Sequence, residues 1–434
     1  MPSFTKNIAI TFSARFLSAF FTLLSTIIIA RGFGPIGKGI FTMVAFMPAL
    51  ALNMGHLGLG NANTYLISKN KTKSKNAFSN SFWLGLYLGL FFIIIFASLY
   101  RFYPQLLMGK GDFGNRFFIL SLFTIPFILW ENLFQGIFVG KQEFKFFNIV
   151  ALLDKFLLFI GLVILIFFFK LDIKWLIYYY VILMILPSIF YGIKFLIKEG
   201  LPNVFDGLLL KQAINFGIRS YIACLLAYLV LRSDIYLLNL FRGLKEVGLY
   251  SISTNFADAI LLIVSSTALV LFPKITENQE QSLDTTFKVS RVISLIIGTI
   301  VIISFIFARW LIPLLFGINF VASLPAFYIL LPAIYFWSIT SVLLQYFASK
   351  GLPWLTILIW VPGFLINIIL NILFIPRYGF IAAALTSLLA YFLTFVLYYL
   401  YLQKIQKTQL KQLLITNITE LKLIKNNLIR RNEN

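Results

Sequence analysis

The chain has 434 residues, of which 60% are hydrophobic and 12% charged, and carries a formal net charge of +21; an ordinary soluble domain has roughly 25% charged residues. So much apolar surface excludes a set of water-soluble domains, and the cations flank apolar runs instead of forming a basic domain, which argues against nucleic acid as a partner. Cys224 and His56 are the only residues of their types, so no disulfide framework or Cys/His metal cluster is expected.

A membrane-spanning helix needs about 20 apolar residues. Runs of that size extend from Asn7 to Ile29, Ile40 to Leu66, Phe82 to Tyr103, Phe117 to Val139, Phe146 to Phe169 and Trp175 to Ile197. After a polar stretch around Lys198 to Lys211 they resume at Ile214 to Phe241, Tyr250 to Phe272, Val289 to Ala308, Pro325 to Ala348, Trp354 to Ile375 and Ile381 to Leu402. The pattern predicts an all-α integral membrane protein of about twelve transmembrane helices, because barrel strands would show alternating segments of about ten residues. Asn7 to Ile29 is too long for a cleaved signal peptide, so the first span is expected to be retained. Lys and Arg, among them Lys69, Lys71, Lys73 and Lys75, concentrate in the segments that are cytoplasmic if both termini are cytoplasmic. In the tail, Leu410, Leu414, Leu421 and Leu428 recur at helical spacing among lysines; the segment reads either as a helix lying on anionic lipid or as a solvated terminus.

Gly39-Ile40-Phe41 aligns with Gly248-Leu249-Tyr250 at an offset of about 209 residues. The same offset lays the fifth run over the eleventh. Six spans then fall in each half, both starting on the same side, which describes a parallel repeat about an axis along the membrane normal. The expected organisation is an N-terminal six-helix lobe over 1–205, a C-terminal six-helix lobe over 206–402 and a basic cytoplasmic tail over 403–434.

Ionisable side chains inside a membrane need partners or water, since each costs about 2.5–3.5 kcal/mol at the bilayer centre. The first span carries Thr11, Arg15, Ser18, Thr22 and Ser25 on one helical face, and the seventh carries Asn215 and Arg219. Neither arginine has an acidic residue nearby in sequence, so both are read as substrate-binding groups of a central cavity, with Arg291 and Asn255 added to the set. Asp258, Glu131, Asp154 and Lys155 are assigned to ion coupling or to pairing within the cavity. The pairs Arg232 and Asp234, and Asp154 and Lys155, stand too close in sequence to face one another squarely along a helix. Ser and Thr stripes read first as close helix packing, and His56 as a hydrogen-bonded packing residue. Arginine suits a diphosphate because its planar fork stays charged and binds oxyanions in pairs. A phosphate crossing bare hydrocarbon would meet a penalty of order 20 kcal/mol, which a wet, cationic cleft open sideways to lipid removes.

Several segments carry a family likeness. Arg31-Gly32-Phe33-Gly34-Pro35 with Gly37-Lys38-Gly39-Ile40-Phe41, Glu246-Val247-Gly248-Leu249-Tyr250, Leu271-Phe272-Pro273-Lys274, and Asn367 to Gly379 with Ala382-Ala383-Ala384 occur in order. Together they resemble the polysaccharide-biosynthesis flippases, the Wzx type, of the multidrug/oligosaccharidyl-lipid/polysaccharide exporter superfamily. The resemblance implies two six-helix lobes in a MATE-like V, alternating access, and undecaprenyl-diphosphate-linked oligosaccharide repeat units moved from the cytoplasmic to the outer leaflet of a bacterial inner membrane. O-antigen, capsule, exopolysaccharide and teichoic pathways all remain open, and the matched motifs cover packing turns, so the site residues above come from the residues alone. Membrane lipids and polysaccharide polymerase machinery are the implied partners, and no cofactor is expected. A multidrug or organic-cation exporter of the same fold is the alternative, kept open by Glu131, Asp154 and Asp258. A membrane glycosyltransferase or polymerase is disfavoured, because the longest outer break, about Arg101 to Arg116, holds the single acid Asp112. No Gly-rich phosphate loop joined to Lys and Ser/Thr occurs, so ATP is not an expected fuel.

Overall fold

The computed structural model describes residues 4–69, 73–110, 114–170, 172–202, 205–351 and 354–415. In chain order the helices are α1 (Phe4–Gly55), α2 (Leu59–Lys69), α3 (Ser74–Phe102), α4 (Pro104–Met108), α5 (Asn115–Phe123), α6 (Ile125–Gly140), α7 (Phe144–Val163) and α8 (Ile173–Glu199). There follow α9 (Gly207–Phe241), α10 (Leu244–Glu277), α11 (Ser282–Phe316), α12 (Leu324–Ser349), α13 (Trp354–Leu358), α14 (Trp360–Gln406) and α15 (Leu410–Leu414). Helix is the expected answer in lipid, where every backbone N–H and C=O must find its partner within the segment.

Ten helical runs among the described residues are long and apolar enough to cross a bilayer. Two of them, Ser13–Gly55 and Trp354–Gln406, break at Gly34 and Gly379, so the described residues offer twelve passes. Both glycines have positive φ, 64° and 59°, a region that costs a side-chain-bearing residue strain and glycine little. Each break joins two spans that the sequence places apart. The second span ends earlier than its apolar run suggests: α1 stops at Gly55, and Leu57 and Gly58 turn left-handed before α2 begins. Tyr103, Trp175, Trp310 and Tyr378 are exposed near helix ends or breaks, and such rings favour the headgroup level of a bilayer. They lie on the side opposite the termini.

The two halves meet through glycine. A Cβ on Gly248 would stand 3.0 Å from the Gly39 nitrogen and closer still to the Pro35 carbonyl, while one on Gly39 would strike the Leu244 carbonyl. Gly39 and Gly248 are the positions that the sequence offset aligns, and their contact is what a twofold axis passing between them would produce. Nearer the terminal side Gly58 and Gly217 pack backbone to backbone, and Tyr221 Oη donates to the Met54 carbonyl at 2.5 Å. The connector is anchored as well. Asp206 caps α9 through the Leu209 N–H, and its backbone N–H and C=O bond to the Asn80 side chain on α3.

Only the start of the tail, to Ile415, lies among the described residues. α15 ends at Leu414, with Leu413 fully buried, and Ser290 and Ser294 of α11 donate to the carbonyls of Leu413 and Leu414. Leu421 and Leu428 lie outside the described residues.

Candidate functional site

The polar face of α1 fixes the site. Arg15, Ser18, Thr22 and Thr26 follow at three- and four-residue steps and line a cavity of about 440 Å³ between the halves. Its other walls are Asn255 and Asp258 of α10, Asp154 and Lys155 of α7, and Glu131 of α6. A second cavity of about 400 Å³ shares Thr22, Thr26, Asn255 and Asp258 with the first and adds Lys38, Tyr180, Tyr228 and Arg232. A third, of about 180 Å³, reaches from Glu131, Asp154 and Lys155 to Tyr180. The three adjoin through shared walls and together are called the cleft. Along α1 it runs from Ala14 to Ile29, about 22 Å at 1.5 Å per residue, against a hydrocarbon core about 30 Å thick.

Within the cleft the charges divide into paired and unpaired. One guanidinium nitrogen of Arg232 donates to both carboxylate oxygens of Asp258, at 2.7 and 2.6 Å. Lys155 reaches back to Asp154 at 2.6 Å, so these neighbours do pair, against the expectation from helical spacing; the long lysine stem bridges the angle between adjacent positions. Arg15 and Lys38 are the opposite case. Each lines the cleft, and neither has a charged partner among the described residues. Lys38 is only 8% exposed and lines the second cavity. Glu131 lies within electrostatic reach of both Asp154 and Lys155.

The remaining sequence-derived residues fall as follows. Asn255 lines both larger cavities. Arg219 lies on α9 beside Gly217 and Tyr221, but its side chain is outside the described residues. Arg291 is not a wall of the central cleft; its Nη1 donates to the Gln412 carbonyl at 2.8 Å, within the clasp that holds the tail on α11. Its place at the first turns of α11 brings it to the tail instead. Arg232 and Asp234 do not pair: Asp234 is buried and accepts from Tyr250 Oη at 2.5 Å, Ser387 Oγ at 3.1 Å and the Ile235 N–H at 2.8 Å. His56 accepts the Gly58 N–H at 3.0 Å and meets the Tyr221 ring edge-on, which is a packing role.

Two cations of the cleft are missing from the site residues drawn from the sequence. Arg232 stood next to Asp234, which masked its pairing with an acid one helix away. Lys38 stood in a glycine-rich stretch read as a turn; the helix in fact resumes at Pro35, and Lys38 falls in the first turn of the next pass. Proline at the start of a helix is the signal that locates this restart.

Three comparisons bear on this architecture. The sequence profile of the family described as polysaccharide biosynthesis protein matches residues 4–279. An uncharacterized membrane protein of Methanocaldococcus jannaschii is 27% identical over 230 residues, covering 49% of this chain and 44% of that protein. The chain thus spans less than half the length of this curated relative. Among solved structures, the lipid II flippase MurJ in an inward closed conformation superposes with a TM-score of 0.73 at 16% identity, over 96% of this chain and 90% of that one. An inward-facing MATE family multidrug resistance transporter of the MOP superfamily gives 0.70 at 15% identity, over 93% and 99%. A MOP superfamily transporter from Pyrococcus furiosus, whose binding pocket is described as of reverse polarity, gives 0.62 at 17%, over 93% and 95%. These likenesses show the fold.

Proposed function

The chain belongs to the polysaccharide biosynthesis protein family, and from that premise we propose that it is a flippase for diphosphate-linked oligosaccharides. Its substrate is an undecaprenyl-diphosphate-linked repeat unit, carried by alternating access from the cytoplasmic to the outer leaflet of a bacterial inner membrane for surface polysaccharide assembly. Both termini face the cytoplasm in this reading, which sets Lys73, Lys75, Lys141, Lys145 and Lys404 on the positive inner side.

The observation that carries the proposal is the inventory of unpaired charge. Asp258 and Asp154 are each engaged by a cation, whereas Arg15 and Lys38 have no charged partner among the described residues. A cleft so arranged attracts anions, and a guanidinium beside a phosphate forms charge-assisted hydrogen bonds that replace the water lost on entry. The same inventory argues against an organic-cation exporter, whose ligand would have to displace Lys155 or Arg232 from its acid. Asn255, Thr22 and Thr26 offer neutral donors and acceptors to sugar hydroxyls, which cannot be left unsatisfied. The lipid tail stays in the bilayer, against the exposed Phe16, Leu17 and Phe20 on α1. Arg219 belongs to this cationic set, and Glu131, which no cation engages directly among the described residues, is the group assigned to ion coupling. Downstream, polymerase machinery consumes the exported unit.

The test is transport by purified protein in liposomes, with labelled diphosphate-linked oligosaccharide and with or without an ion gradient. Movement of that lipid, lost in Arg15→Ala and insensitive to the gradient in Glu131→Gln, supports the reading. Equal movement of the lipid in protein-free liposomes, or full-rate movement by Arg15→Ala, contradicts it.

A further inference from the structure

We propose that Arg31 is the latch of the outer gate, holding the two halves together on the side away from the termini. The proposal rests on the orientation and alternating access given above, but its evidence is separate from the cleft. Arg31 lies on α1 just before the break at Gly34. Its Nε donates to the Leu315 carbonyl at 2.8 Å and its Nη2 to the Leu314 carbonyl, both at the end of α11 in the other half. α11 stops at Phe316, and the Gly317 N–H takes the Pro313 carbonyl at 3.0 Å. The carbonyls of Leu314 and Leu315 therefore lie beyond the last intrahelical bond, among the groups every helix end leaves unpaired. A guanidinium set there also meets the negative end of the helix dipole.

The neighbouring contacts across the halves have the same chemistry. Tyr236 Oη donates to the Leu106 carbonyl at 2.6 Å, and Asn239 Nδ2 to the Met108 carbonyl at 2.9 Å. Each of these four bonds, two from Arg31 and one each from Tyr236 and Asn239, ends on a carbonyl and none on a carboxylate. Opening such a gate exposes carbonyls and one already exposed arginine to water, which hydrates them, whereas separating an ion pair would strand two charges. The glycine contact between Gly39 and Gly248 sets how closely the halves approach. Arg31 sets how long they stay.

The test uses an Ala45→Cys reporter, which lines the outer part of the cleft, in a Cys224→Ser background. Right-side-out vesicles receive a membrane-impermeant thiol reagent from outside. Arg31→Ala is expected to raise the labelling rate at least fivefold, and Arg31→Lys to fall between it and the parent, because one ammonium cannot fork across both carbonyls. Tyr236→Phe, which removes one donor and keeps the ring, is expected to raise the rate in the same direction. Unchanged labelling in Arg31→Ala, present at parental amount, overturns the latch, and lipid movement that persists in that case leaves the transport reading standing. Raised labelling in Arg31→Ala supports the latch even where the parent moves no lipid, an outcome that removes the transport reading alone.

Discussion

A guanidinium held inside a membrane without a counter-ion keeps its charge only where water or an anionic ligand can reach it, and Arg15 has no charged partner among the described residues. Replacing it with Ala is predicted to cut transport at least tenfold, since a charge-assisted hydrogen bond is worth about 1.5–3 kcal/mol and each 1.4 kcal/mol is about tenfold. Arg15→Lys is predicted to recover part of that loss by keeping the charge without the fork. The measurement is initial flipping rate per inserted protein; a rate equal to the parent's in Arg15→Ala excludes contact with substrate. Arg232 has the opposite problem. Without Asp258 its charge is left uncompensated, so Asp258→Asn is predicted to lower stability by about 1–3 kcal/mol. Melting of the detergent-solubilised protein reads this, and Asp258→Asn combined with Arg232→Met is predicted to recover part of the loss. No recovery would show that the pair is not what Asp258 supplies.

At the scale of elements, the breaks and close approaches decide the geometry. Gly248→Ala places a methyl against the Pro35 carbonyl and 3.0 Å from the Gly39 nitrogen, a clash between backbones that no rotamer relieves. It is predicted to destabilise the protein by about 1–3 kcal/mol. At Gly298 the nearest atom to a new Cβ is a Tyr335 ring carbon at 3.7 Å, so Gly298→Ala is predicted to leave the melting temperature within experimental error. Equal effects at the two sites would contradict the close contact. The membrane-proximal end of α7 adds a pH signature. Burial pushes the Glu143 carboxyl up, but Lys194 at 2.6 Å and Lys198 at 3.2 Å outweigh it and hold it below the ordinary carboxylate range. A carboxyl depressed in the folded state stabilises above its unfolded pKa and loses that contribution as pH falls through the folded one. The melting difference between wild type and Glu143→Gln is therefore predicted to be full at neutral pH and to vanish in strong acid. A difference that does not change with pH would show that these ammonium groups do not engage Glu143. The passes themselves were legible from hydrophobic run length, because a bilayer demands it. Pairings were not: Arg232 with Asp258 depends on how α9 and α10 are rotated against each other, and Arg291 with Gln412 on where the tail folds back. Periodicity on one helix carries neither.

For the whole molecule, the described residues offer twelve passes in two halves that touch at Gly39 and Gly248, with a cleft between them that runs along about three quarters of the hydrocarbon thickness. Arg15 stands toward the terminal side and Lys38 toward the other, so in the proposed cycle an anion would meet one cation and then the next. The most direct measurement is binding of a short-chain prenyl diphosphate sugar to the purified protein, at low and at physiological salt. Wild type is predicted to bind more tightly at low salt, with affinity reduced about tenfold in Arg15→Ala and in Lys38→Ala, and with no comparable change for a neutral prenyl glycoside. Equal affinity for the charged and the neutral lipid, unchanged in both variants, would contradict the account.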